Sequence, residues 1–93
     1  MSFAANQPEV LADLLRRMRR IEGQARGVQR MLEEGADCDA ILTQLSAMRS
    51  ALHRVGLKVL GCHLSSKMVD EVRRGGSGLD AVEEALESFM RLG

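Results

Sequence analysis

Leu11, Leu14, Leu15, Met18, Ile21, Ala25, Val28 and Leu32 recur at spacings of three and four, the stripe of an amphipathic helix. Pro8 suits a first helical turn, so this helix is predicted to start near it. Glu34-Gly35 predicts its end, with Gly35 in the left-handed position that closes many helices. A second helix is expected from about Cys38 to Arg74, with Asp37 as its N-cap. Its apolar positions include Ile41, Leu42, Leu45, Met48, Leu52, Val55, Val59, Leu60, Leu64 and Met68. Gly56 and Gly61 lie inside it, each costing about 1 kcal/mol relative to Ala without overturning the pattern. Gly75-Gly76-Ser77-Gly78 reads as a flexible turn, and Ser77-x-x-Asp80 as a capping box opening a third helix. Leu79, Val82, Leu86, Phe89 and Met90 form the apolar face of that helix. The expectation is an all-α chain of three helices and a single domain over residues 1–93, with residues 1–8 as a disordered N-terminal arm.

Length turns this pattern into a statement about assembly. A second helix of roughly 37 residues is a rod of about 55 Å, and helices of roughly 25 and 14 residues are too short to cover its whole apolar stripe. A second copy is therefore expected to complete the core, most simply as an antiparallel four-helix bundle between two chains.

Composition narrows the class. Hydrophobic residues make up 45% of the chain, yet Trp and Tyr are absent and Phe numbers two, which favours helices over sheets. Charge-free runs such as Ala40 to Met48 are too short to span a bilayer, and no basic-then-apolar segment opens the sequence. Two cysteines are too few for a disulfide scaffold and read instead as thiols of a reducing cytoplasm. Net charge is zero, but it is unevenly spread. Residues 1–30 carry six Arg against three acids, and residues 69–93 carry three Arg against six acids. One end of the sequence is basic and the other acidic.

Cys38, Cys62 and His63 are the candidate soft ligands. Cys38 and His63 are 25 residues apart, about 37 Å along one helix, so they cannot share a site within one chain. If the second helix packs antiparallel against its copy, Cys38 can face His63 of the partner subunit, with the two-fold axis near Ser50-Ala51. Ser46, Ala47 and Ser50 there are small enough for two helices to approach closely. Two symmetric sites per dimer result. Cys38 also opens a helix, where free amide hydrogens and the macrodipole favour a negative group. A thiolate and a neutral imidazole suit Cu(I), Zn or another thiophilic metal, and the same thiol could instead react with an electrophile or a sulfur species. The bland alternative is that Cys38 is a small buried hydrophobe. Cys62 points about 100° from His63 and reads either as a further ligand or as a core residue. His53 reads as a surface or satisfied histidine, and the methionines as core filler.

Arginines supply the second constellation. Arg16, Arg17, Arg19, Arg20 and Arg26, joined by Arg54 and Lys58, could line one face that binds phosphates of a DNA duplex. Glu22 is the only acid between positions 14 and 32, which favours a binding face over an ordinary solvated charge run. No helix-turn-helix or zinc-finger spacing is present. A Ser/His/Asp set, a phosphate loop and a closed catalytic metal motif are also missing, so an enzyme is not expected. The rival outside regulation is a structural helical module that binds protein partners.

Arg19-Arg20-Ile21-Glu22-Gly23-Gln24-Ala25-Arg26-Gly27, then Met31-Leu32-Glu33-Glu34 followed by Cys38 and Ile41-Leu42-Thr43-Gln44-Leu45-Ser46-Ala47, then His63-Leu64-Ser65, together resemble the copper-sensing operon repressor family over about residues 11–90. That family also includes nickel/cobalt, formaldehyde and sulfur-species sensors. The resemblance implies an all-helical dimer that assembles into a flat tetramer and binds double-stranded operator DNA until an inducer releases it. It implies Cys38 and His63 as two ligands of a copper site, with no metal required for folding. The third ligand of the copper sensors is a Cys four residues after the His, and here that position is Lys67. The formaldehyde sensors carry a Pro where this chain has Ser2, and the second thiol of the sulfur sensors also falls at Lys67. Formaldehyde or a reactive sulfur species acting on Cys38 is the alternative inducer. The resemblance further implies operator contacts at Arg17 and Arg54, and a carboxylate at Glu83 or Glu84 that couples the third helix to the inducer site.

Overall fold

A computed structural model describes residues 7–93, which form three α-helices and no strand: α1 (Pro8–Glu33), α2 (Cys38–Arg73) and α3 (Leu79–Met90). Ser2 and the first six positions of the expected N-terminal arm lie outside the described residues. None of the helices among the described residues is long and apolar enough to cross a membrane. The described residues fall into two compact units that divide after Val55, within α2.

In the first unit, Pro8 stands in the first turn of α1, where its missing N–H leaves no donor unpaired. Leu14, Ile21 and Val28, spaced by seven, are the buried residues of α1. They are part of the predicted stripe, while Leu15, Met18 and Leu32 stay exposed at 43%, 42% and 61%. The helix ends as its sequence demands. Gly35 takes φ of 71°. The Ala36 N–H reaches the Met31 carbonyl at 2.8 Å and the Gly35 N–H reaches that of Leu32 at 3.3 Å, the paired closure of a Schellman turn. Asp37 stands just before α2, its carbonyl accepting the Ile41 N–H at 3.1 Å.

The second unit holds the later part of α2, the glycine turn and α3. Gly75, at φ of 90°, repeats the closure: the Gly76 N–H reaches the Glu71 carbonyl at 2.9 Å and the Gly75 N–H reaches that of Val72 at 3.0 Å. The turn therefore stops α2 by a defined geometry. The expected Ser77-x-x-Asp80 capping box does not form. Gly78, at φ of 88°, is the N-cap of α3, with no side-chain cap bond of its own. Because the left-handed turn shifts the cap by one residue, Ser77 Oγ accepts the N–H of Leu79 at 3.3 Å instead. Glu71 Oε2, reaching over from α2, accepts the N–H of Ala81 at 3.4 Å. A carboxylate at the positive end of a helix is favourable there.

Of the apolar face predicted for α3, Val82 and Phe89 are half-buried, and the rest is corrected. Ala81 and Ala85 are its buried residues, whereas Leu79, Leu86 and Met90 are exposed at 65%, 48% and 76%. The inward side of α3 is thus centred on the two alanines, with Val82 and Phe89 at its margins. No residue of α2 is buried, although Leu42, Leu45, Leu52, Leu57, Val59, Val69 and Val72 all lie on it and are exposed.

Candidate functional site

Arg17, Arg20, Ile21 and Gln24 share one face of α1, because spacings of three and four return to the same side of a helix. They meet Ala47, Ser50, Ala51 and Arg54 of α2 around a cleft of about 380 Å³. The structure thus gathers three of the proposed DNA-contacting arginines, Arg17, Arg20 and Arg54, into one concave wall. It separates others from them. Asp13 holds both Arg16 and Arg17, the latter by an Nε–Oδ2 bond of 2.9 Å. Arg26 pairs with Glu22 at 3.1 Å on the exposed surface. Arg19 is exposed on α1, and Lys58 is exposed in the second unit.

Asp13 and Gln24 are the residues that pattern reading missed. Asp13 is only 16% exposed in its side chain and orients the first two arginines. Its signal was present, since it precedes Arg16 and Arg17 at helical spacing. Gln24 Oε1 is buried without a hydrogen-bond partner among the described residues. Only its position one turn after Arg20 could have pointed to it.

His63 lies on the wall of a different cleft, about 270 Å³ and mostly apolar, formed by α2 with Ala85, Ser88 and Phe89 of α3. The imidazole is exposed at its edge. Lys67, one turn further along α2, pairs with Glu84 of α3 at 3.7 Å, both groups open to solvent. Glu83 is exposed next to it. Cys62 is half-buried and is not part of the wall that carries His63, as expected for adjacent residues that diverge by about 100°. Cys38 is exposed at the first position of α2. Among the described residues no three His, Cys, Asp or Glu side chains of one chain come together to hold a metal ion. The single chain therefore carries isolated soft donors and one assembled cationic cleft.

The comparison with known proteins fits this arrangement. The sequence model of a family described as "Metal-sensitive transcriptional repressor" matches residues 11–91. The copper-sensing transcriptional repressor RicR of Mycobacterium tuberculosis is 46% identical over 78 residues, which cover 83% of this chain and 81% of that protein. The nickel-responsive transcriptional regulator InrS superposes with a TM-score of 0.75 at 36% identity, over 85% of this chain and 91% of the other. The copper-sensing repressor CsoR with Cu(I) from Geobacillus thermodenitrificans superposes with a TM-score of 0.76 at 33% identity, over 98% and 92% of the two chains. Both sequence and fold thus agree across most of the length, and the chain belongs to the family of metal-sensitive transcriptional repressors, DNA-binding regulators rather than enzymes.

Proposed function

We propose that this repressor occupies operator DNA in its ligand-free form and leaves it when Cu(I), or another thiophilic metal, binds between subunits. Cys38 of one chain and His63 of the partner subunit would be the ligands. The observation that carries this reading is that α2, the helix bearing both donors, has no buried residue in the single chain. Its exposed leucines gain on the order of 25 cal/mol for each Å² of apolar surface covered, and a second antiparallel α2 is the surface whose pattern matches. Such a pairing brings a thiol to an imidazole at each end of the dimer. The donor set fits: a thiolate and a neutral imidazole are a soft and a borderline ligand, suited to a monovalent thiophilic ion. RicR and CsoR, named above, are copper sensors, which supports copper as the first choice. Cys62, half-buried and turned away, serves as a core residue in this reading.

Arg17, Arg20 and Arg54 engage operator phosphates, with Arg16, Arg19, Arg26 and Lys58 adding to the basic field. Two dimers assemble into a tetramer, so the arginine faces repeat along the duplex. Glu83 and Glu84 lie on α3 beside the His63 cleft, and transmit inducer binding to the rest of the assembly through a coupling free energy. A thiol sensor of this kind works in the reducing cytoplasm, its three helices acting as a single domain.

The test is anaerobic fluorescence anisotropy on DNA from upstream of the protein's own gene, before and after one equivalent of Cu(I). Release by copper in the wild type, lost in Cys38→Ser, is the expected result. Tight binding that ignores copper in the wild type sinks the metal reading and redirects attention to formaldehyde or a persulfide at Cys38. A Cys38→Ser protein that responds like wild type sinks the site.

A further inference from the structure

The cleft of about 380 Å³ between α1 and α2 is more than a patch of charge. The short turn of residues 34–37 makes α1 and the first part of α2 run antiparallel, so the cleft has two unlike ends. Arg17 and Arg54 lie at the end far from the turn, Gln24 and Ala47 at the near end, and Arg20 and Ile21 between them. From Arg17 to Gln24 the distance along α1 is about 10 Å. One end is thus cationic, and the other is an amide among apolar side chains. Gln24 Oε1 is buried without a hydrogen-bond partner among the described residues, and such an acceptor costs about 1–3 kcal/mol until a donor reaches it. Operator phosphates account for the arginines and leave the amide and the apolar wall unexplained.

We propose that this cleft binds a free nucleoside polyphosphate: Arg17, Arg20 and Arg54 hold the phosphates, the base lies against Ile21 and Ala47, and an N–H on its edge donates to Gln24 Oε1. The chemistry matches at each point. Guanidinium groups bind phosphate through charge-assisted, often bidentate hydrogen bonds. A glutamine amide pairs with the amino edge of adenine. An elongated ligand, anionic at one end and flat with a polar edge at the other, suits a cleft with the same division. A duplex does not supply both contacts, because a paired base enters a concave site only by flipping out of the stack, at a cost of a few kcal/mol. An occupied cleft shields the arginines assigned above to operator phosphates, so the nucleotide is an inducer that acts without metal. That regulatory part rests on the operator reading; the binding itself does not.

The experiment uses the full-length protein with no metal added. Isothermal titration calorimetry at fixed ionic strength compares ATP with inorganic tripolyphosphate, in wild type, Gln24→Met and Arg54→Ala. Wild type is expected to bind ATP saturably, one per chain. Gln24→Met should weaken ATP by about fivefold, the contribution of one hydrogen bond, and leave tripolyphosphate within about twofold of wild type. The second value also shows that the arginine end is still folded. Arg54→Ala should weaken both ligands by about tenfold or more. Wild-type protein without saturable ATP binding overturns the site. So does a Gln24→Met protein that holds ATP as wild type does, or that loses ATP and tripolyphosphate alike. Anisotropy of a labelled operator then tests regulation: ATP should displace the DNA at an ionic strength where sodium chloride does not. Displacement that follows ionic strength alone overturns the regulatory part. Wild-type protein that binds ATP but no operator sinks the operator reading, and the regulatory part with it, while the site stands.

Discussion

Arg17 shows how an acidic neighbour can serve a basic site. Its Nε is held by Asp13 at 2.9 Å while its side chain remains 38% exposed on the cleft. Asp13 also holds Arg16, so it fixes the direction of two guanidinium groups while cancelling part of their net charge. With Arg17 more than a third exposed, its pair with Asp13 contributes on the order of 1 kcal/mol to folding, and the role proposed for Arg17 is in binding. Arg17→Ala is expected to leave the melting temperature within a few degrees of wild type and to weaken operator binding. Its diagnostic is salt: the slope of log affinity against log salt should fall by about 0.9 for each phosphate that the variant no longer neutralises. Anisotropy titrations over a range of salt concentrations measure it. An unchanged slope removes Arg17 from the interface.

Helix boundaries are the most legible part of the sequence, and the reason is local. Gly35 and Gly75 stop their helices because their positive φ, 71° and 90°, suits a residue without Cβ, and that information is carried by one or two positions. Gly35→Ala would force a Cβ into the left-handed region, and nothing lies within 4 Å of that Cβ to complicate the effect. The expected cost is about 1–2 kcal/mol from backbone strain alone, read as a lower chemical-denaturation midpoint with an unchanged slope. An unaltered midpoint would mean that the α1 closure is not strained by a side chain. The start of α3 is illegible for a complementary reason. Ser77 and Asp80 have the right types and spacing for a capping box, but the cap is decided by Gly78 and by Glu71 arriving from α2, ten residues before the amide it meets. The face of α3 is legible in part: periodicity finds Val82 and Phe89, which are half-buried, but passes over Ala81 and Ala85, which are buried. The arginine cleft is legible as a cluster of cations. Its concave form and the contributions of Asp13 and Gln24 depend on how α1 meets α2, which composition does not state.

At the scale of the whole molecule the decisive feature is surface that one chain leaves uncovered. Leu42, Leu45 and Leu52 of α2, at 56%, 44% and 37% exposure, join Leu15, Met18 and Leu32 of α1 in the first unit. Side chains of this size stabilise by about 1.5–3 kcal/mol each when fully buried, so a partner surface of the same pattern would recover several times the energy of any ion pair described above. Self-association should then be coupled to folding, and the melting temperature should depend on concentration. Each tenfold dilution of a folded dimer shifts its stability by about 1.4 kcal/mol, which for a domain of this size means a fall of several degrees. Leu52→Lys places a charge in the centre of the exposed stripe, near the two-fold axis expected at Ser50-Ala51. It should shift sedimentation toward the 10.2 kDa of one chain and also abolish Cu(I)-triggered release, because each metal site then loses one of its two subunits. Arg17→Ala should do neither. Wild-type protein that sediments as a single chain, with a melting temperature indifferent to dilution, would show that α2 needs no second copy and would leave Cys38 without its imidazole.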